Sequence, residues 1–391
     1  MKRWMMVIVL ALFARGALSY EPGDVVEEKC SQKQEPVADC SVFKAGARPK
    51  NVIIFIGDGM GLNHIYSGRV FQNGPAQPLE LEKLEHNSLV KTCSLSGVTD
   101  SAASATALAS GTKTYNGRIG TGPDGKNLED AVELAKKSGK AIGLVTTDSV
   151  VGATPSSFAL HQGDRFTYRS LAEEYLKIKP DLLLGGGREW FEKKGGGEDL
   201  MDQAKKQGYL VVLDGKQLNS ASALPVLGFF ADAEMTFELD RKDDSPEPHL
   251  FEMTQKALDL LSQDPDGFFL MVEGARIDHA SHKGDFDRML REVMALDQAV
   301  KIAKDWQAKN PETLILVTAD HETGGMKVEP GDYQKGDSVN YKYTTKIGFL
   351  PAGHSGQRVV FFGQGPGAEN VEKASDNTQI FCILKNALSN N

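Results

Sequence analysis

The apolar run Val52-Ile53-Ile54-Phe55-Ile56, which passes without a polar break into the turn Gly57-Asp58-Gly59-Met60-Gly61, most limits how this chain folds. Its length suits a strand, and its lack of alternation requires cover on both faces, the condition of a strand inside a parallel sheet. Similar runs recur at Ala141 to Val145, Leu182 to Leu184, Leu210 to Leu213, Phe268 to Val272, Leu314 to Val317 and Val359 to Phe362. Between them lie helical patterns, clearest where Phe286, Met289, Leu290, Val293, Leu296, Val300, Ala303 and Trp306 recur at three- and four-residue steps. The alternation predicts an α/β chain, a three-layer sandwich with a large, mainly parallel central sheet and helices on both faces. With 391 residues, 40% of them hydrophobic, one large domain or two modest ones can be built.

The polar residues that stand out fall at one end of these runs. Asp58 follows the first, Thr146-Thr147-Asp148 the second, Glu273 closes Phe268 to Val272, and Asp320-His321 follow Leu314 to Val317. Ligands of open α/β sheets bind outside the carboxyl ends of the strands, so one site could collect them all. Asp278 and His282 stand four apart, and on a helical turn both project to one face where they can grip one divalent ion. His354, in Gly353-His354-Ser355-Gly356, completes three places that hold four of the eight histidines; His64, His86, His161 and His249 read as surface or core residues. Thr99 to Ala107 sets Ser101 beside Asp100 at the mouth of an alanine-rich helix. Nothing in that segment supplies a base, so activation of the hydroxyl must come from a metal or a distant histidine.

These segments, with Val272-Glu273-Gly274 through His282 and Thr318-Ala319-Asp320-His321, together resemble alkaline phosphatases, in the right order over about residues 50 to 385. The resemblance implies a phosphoserine enzyme hydrolysing small phosphate monoesters with two zinc ions and one magnesium ion. It makes Asp278, His282 and His354 ligands of the first zinc, and Asp58, Asp320 and His321 those of the second, beside the nucleophile Ser101. Asp58, Thr154 and Glu273 would hold magnesium, Arg165 would clamp phosphate, Asp100 would orient Arg165, and His279 would adjoin the substrate. Four carboxylates against one guanidinium leave the empty site at −3, which would repel a phosphate dianion; three divalent ions turn it to +3. One departure is Gly152, where relatives carry Asp or His; a third metal would then be held more weakly or differently, through Asp148. The same fold also serves phosphodiesterases, mutases and sulfatases, although the sulfatase pattern C/S-x-P-x-R is absent here. A catalytically silent metal- or phosphate-binding protein is the remaining alternative. The resemblance also implies a homodimer.

The remaining sequence bounds the setting. Met1-Lys2-Arg3, an apolar run to Ala14 and small residues to Ser19 read as a signal peptide over 1–19, giving export to a periplasm or the outside. A polar leader, 20–48, then precedes a catalytic domain over 49–391, with a cap-like excursion near 326–352. No stable membrane anchor is expected, and a net charge of −9 argues against a nucleic-acid-binding surface. Of the four cysteines, Cys30 and Cys40 are close enough in sequence to be expected as a disulfide, leaving Cys93 and Cys382 as buried thiols. Gly185-Gly186-Gly187, Gly195-Gly196-Gly197 and Asp240 to Pro248 are expected as surface loops.

Overall fold

The computed structural model describes residues 25–31, 35–43, 46–193, 199–346 and 351–389; the expected signal peptide and Gly195-Gly196-Gly197 lie outside them. The strands are β1 (Asn51–Gly57), β2 (His86–Val90), β3 (Ala141–Ser149), β4 (Leu182–Gly186), β5 (Leu210–Val212), β6 (Val226–Phe229) and β7 (Phe268–Gly274). They continue as β8 (Thr313–Thr318), β9 (Glu322–Thr323), β10 (Lys327–Val328), β11 (Tyr341–Lys342), β12 (His354–Ser355) and β13 (Val359–Gln364). Nine form one sheet in the order β2-β13-β8-β1-β7-β3-β4-β6-β5. Only β13 runs against its neighbours β8 and β2, so the sheet is mainly parallel, and β1, β7 and β8 at its centre are buried throughout.

Helices cover both faces. Ser101–Ser110, Ala131–Lys137, Ala153–Ser157 and Thr378–Leu388 pack together on one, while Leu62–Asn73, Leu250–Leu261, Arg276–His282 and Phe286–Gln307 pack on the other. All seven expected strands are present. Two more, β2 and β6, escape the apolar-run rule: His86-Asn87-Ser88 is polar because β2 is an edge strand, and β6 is short and broken by Gly228.

Two expectations are overturned. Gly185 and Gly186 are not surface loop but buried in β4, where a Cβ on Gly186 would lie 1.9 Å from the Ala233 carbonyl oxygen; the glycine permits close backbone approach. The disulfides are Cys30–Cys93 and Cys40–Cys382, with Cα separations of 5.4 and 5.3 Å, and not Cys30–Cys40. In the described parts of the leader, Glu27 bridges to Gln357 and Val37 to Thr112, so its two cysteines dock at different places on the domain. Neither Cys93 nor Cys382 is a free thiol. Within 326–352, β10 and β11 form a two-stranded antiparallel ribbon. Among the described residues no helix is long and apolar enough to cross a membrane.

Candidate active site

Register brings the acidic residues together. Ile56 pairs with Glu273 on one side and Thr318 on the other, and Thr146 pairs with Glu273, so β1, β3, β7 and β8 end at one level. The Asp58 N–H donates to the Gly274 carbonyl (3.3 Å), fixing the turn beyond β1. Gly59 in that turn has φ 72°, and a Cβ there would meet the Thr323 hydroxyl at 2.7 Å, so glycine serves both the left-handed backbone and the packing. Ser104, from the helix bearing Ser101, donates to the Asp320 carbonyl (2.6 Å) and joins the serine to the same edge.

Asp58, Asp320 and His321 form one potential metal-binding group, and Asp278, His282 and His354 another. In the first, His321 Nε2 lies 3.3 Å from each of Asp58 Oδ1, Asp320 Oδ2 and Ser101 Oγ. One nitrogen cannot give a hydrogen to three oxygens, and Asp58 Oδ1, Asp320 Oδ2 and Thr154 Oγ1 are buried without a hydrogen-bond partner. In the second, the Nδ1–H groups of His282 and His354 donate to the carbonyls of Ala352 (2.8 Å) and Thr99 (2.7 Å). Their Nε2 atoms then face each other at 3.1 Å, with Asp278 oxygens 3.3 and 3.6 Å away. Carbonyl-held imidazoles with converging bare nitrogens beside a carboxylate are the donor set of a divalent metal, and the orphaned oxygens suit a second and third cation.

The buried charges interact strongly with one another. Burial, then the carboxylates of Asp320, Asp278 and Glu273, raises Asp58 well above the ordinary carboxylate range. Glu273, buried and near Asp148, is pushed up to about 8, and Asp320 to about 6 by burial and the Asp278 charge. Burial opposes protonation of His354, yet its hydrogen bond to Asp278 raises it to about 9; burial likewise opposes ionisation of Asp278, but His282 and His354 hold it well below the usual range. His321 is depressed by burial and then by His354.

The serine and arginine meet at Asp100. Its Oδ1 accepts from the Ala103 N–H (2.9 Å), capping the helix Ser101–Ser110, and its Oδ2 accepts from the Gly117 N–H (2.9 Å) and Arg165 Nη1 (3.0 Å). The Arg165 backbone N–H donates to Gly117 O (2.8 Å), so one loop holds both groups. Thr154, the second residue of the helix Ala153–Ser157 that follows Gly152, is buried.

Sequence reasoning missed Thr323. Its hydroxyl donates to Asp278 Oδ1 and sits 3.3 Å from His321 Nδ1, from which it can accept, so one side chain ties together the two metal-binding groups. No motif flags a threonine two residues beyond a histidine; only the pairing of β9 with β12, which sets Thr323 opposite His354, reveals it. At Gly152, an added Cβ would fall 2.3 Å from Asp148 Oδ2, so the glycine leaves the space that the Asp148 carboxylate fills. Asp148 groups with His279 and the exposed Glu234. Arg276 Nη1 donates to His279 Nδ1 (2.7 Å), so the Nε2 of the neutral ring carries the hydrogen, which suits donation better than metal ligation. Among the other histidines, His64 is buried between Gly61 and Ser281, while His86 pairs with Glu372 at the surface.

The family profile described as alkaline phosphatase matches residues 49–336, and the chain belongs to that family. It is 36% identical to alkaline phosphatase 3 of Bacillus subtilis, over 84% of this chain and 70% of that protein. Among solved structures, the cold-active alkaline phosphatase of a psychrophilic Shewanella superposes with a TM-score of 0.78 at 30% identity, covering 87% of this chain and 100% of that one. A variant of the alkaline phosphatase of the Antarctic bacterium TAB5, with Mg bound in its M3 site, gives 0.77 at 29% identity, over 88% of this chain and 100% of that one. The chain is thus an enzyme that hydrolyses phosphate monoesters, in a metal-dependent family.

Proposed function

We propose that hydrolysis proceeds through a phosphoserine at Ser101, in a site built for two zinc ions and one magnesium ion. The observation that carries this reading is Ser101 Oγ at the first turn of a capped helix, 3.3 Å from a histidine nitrogen that also faces two buried carboxylates. Asp278, His282 and His354 would hold one zinc, Asp58, Asp320 and His321 the other, and Asp58, Thr154 and Glu273 the magnesium, with Asp148 beside it in the space above Gly152. Bound divalent cations supply the positive charge that stabilises a serine alkoxide and a departing oxygen.

The chain's own groups do the positioning. Arg165, aimed by Asp100, offers a planar fork to two phosphoryl oxygens. The helix N-terminus behind Ser101 adds backbone donors and a favourable dipole. Ser101 Oγ bonds to phosphorus as the ester bond breaks and the alcohol leaves with a proton; water then takes the phosphoryl group and Ser101 regains its hydroxyl. We also read the chain as an exported homodimer with residues 326–352 as a small cap; the two disulfides favour an oxidising compartment.

The test is Ser101→Ala with metal analysis and a chromogenic monoester and diester. Hydrolysis should fall by at least about a thousandfold, the scale of losing a nucleophile, while zinc content stays near that of the parent. Unchanged turnover excludes Ser101, and comparable release from the diester moves the assignment to a phosphodiesterase.

A further inference from the structure

Three loops converge on Asp100 and Arg165, and each exposes a large apolar side chain. Val98 is 41% exposed, Tyr115 44% and Phe166 66%, the last being the most open among the described residues' large hydrophobics. Hydrogen bonds join the loops: Asn116 Nδ2 donates to Val98 O (3.0 Å), the Gly117 N–H to Asp100, and the Arg165 N–H to Gly117 O. Single exposed hydrophobics are ordinary. Here Phe166 borders the Arg165 guanidinium itself, while Tyr115 packs under Arg118 at 5.1 Å on the neighbouring loop.

Phe166 is also held in place. Its N–H donates to Asp164 Oδ1 (2.9 Å), and Thr167 Oγ1 donates to Asp164 O (2.8 Å), which pins the backbone on either side. Its ring lies edge-on to Tyr168 (6.2 Å, 82°), and Tyr168 packs on Trp190 at 4.8 Å. The Arg165 guanidinium carbon is 5.7 Å from the Phe166 ring centre. A phosphoryl group held by Arg165 through bonds of about 2.8 Å can therefore present a ring on its leaving group to Phe166, since aromatic pairs interact at centroid distances of about 4.5–7 Å.

We propose that Phe166, braced by Tyr168 and Trp190, is a subsite for flat aromatic leaving groups, favouring aryl and nucleoside phosphates over small alkyl phosphates. This rests on Arg165 as the phosphate clamp of the proposed function. A contact present equally in ground and transition states acts on KM and leaves kcat alone. The experiment measures wild type, Phe166→Ala and Phe166→Trp on phenyl phosphate, adenosine 5′-monophosphate and glycerol 2-phosphate. The ratio of aromatic to glycerol KM should rise about two- to tenfold in Phe166→Ala, the worth of one aromatic pair, and return with Phe166→Trp. A rise for phenyl phosphate alone would confine the subsite to aryl leaving groups and overturn the nucleoside assignment. An unchanged ratio, or a shift in sedimentation showing that Phe166 is covered by a second copy, overturns the subsite. Failure of the wild type to hydrolyse any of the three overturns instead the function on which it rests.

Discussion

Thr323→Val removes one hydroxyl from between the two candidate metal-binding groups while keeping the side chain's shape. In the wild-type protein that hydroxyl donates to Asp278 Oδ1 and can accept from His321 Nδ1, and Thr323 and His321 are both fully buried. Valine opens no cavity, and the backbone stays fixed by the Thr323 N–H bond to Gly59 O (3.0 Å) and by pairing with His354. What is lost is the acceptor for His321 Nδ1–H, a buried donor whose orphaning costs about 1–3 kcal/mol. That bond also holds the proton on Nδ1 and leaves Nε2 free toward Asp58 and Asp320. Loss of such a support weakens metal binding by about 10–100-fold, which at about 1.4 kcal/mol per decade is the same energy seen from the ligand. Competition with a chromophoric chelator should show zinc affinity reduced by this factor in Thr323→Val and near wild type in Thr323→Ser. A valine variant binding zinc within twofold of wild type would refute the argument that Thr323 orients His321.

Two further outcomes are expected. Gly152→Ala, at a φ (−59°) open to any residue, places a methyl 2.3 Å from Asp148 Oδ2 and 2.8 Å from the Ser149 carbonyl oxygen, so the carboxylate and the adjoining turn must move; magnesium titrated into zinc-loaded enzyme should bind about tenfold more weakly or worse, and unchanged binding would remove Asp148 from that site. Glu292, on the buried side of the helix Phe286–Gln307 and accepting from the Glu238 N–H (2.7 Å), is raised by burial from 4.5 to about 8. The unfolded chain then loses its proton first, so stability falls as pH rises from about 4.5 to 8; Glu292→Gln should recover on the order of a few kcal/mol above that range and little below pH 4.5, read from urea midpoints at pH 5 and 9. Equal midpoint shifts at both pH values would contradict it.

The centre of the fold and most of the site were legible because both obey local rules. A strand buried on two faces, such as Val52 to Ile56, must be apolar along its whole length, and a parallel sheet puts its ligands where such runs end; Asp58, Glu273, Asp320 and His321 could therefore be located from order alone. Asp278 and His282 were readable from helical spacing. Edge strand β2 was hidden because one side of it needs no apolar cover, and Gly185-Gly186 misled because glycine marks close backbone approach as well as loops.

The sequence by itself determined the residue types, their order and the excess of carboxylates that calls for cations. Tertiary structure decided the pairings that depend on distance through space. It sent Cys30 to Cys93 and Cys40 to Cys382, since the strand bridges at Glu27 and Val37 dock the two ends of the leader on different segments. It put Thr323 between the two His/Asp clusters, let Asp148 fill the volume over Gly152, and left the Phe166 ring in water against the Arg165 guanidinium. A hydrogen bond or a filled volume depends on positions fixed by the packing of distant segments, and residue order along the chain does not contain them.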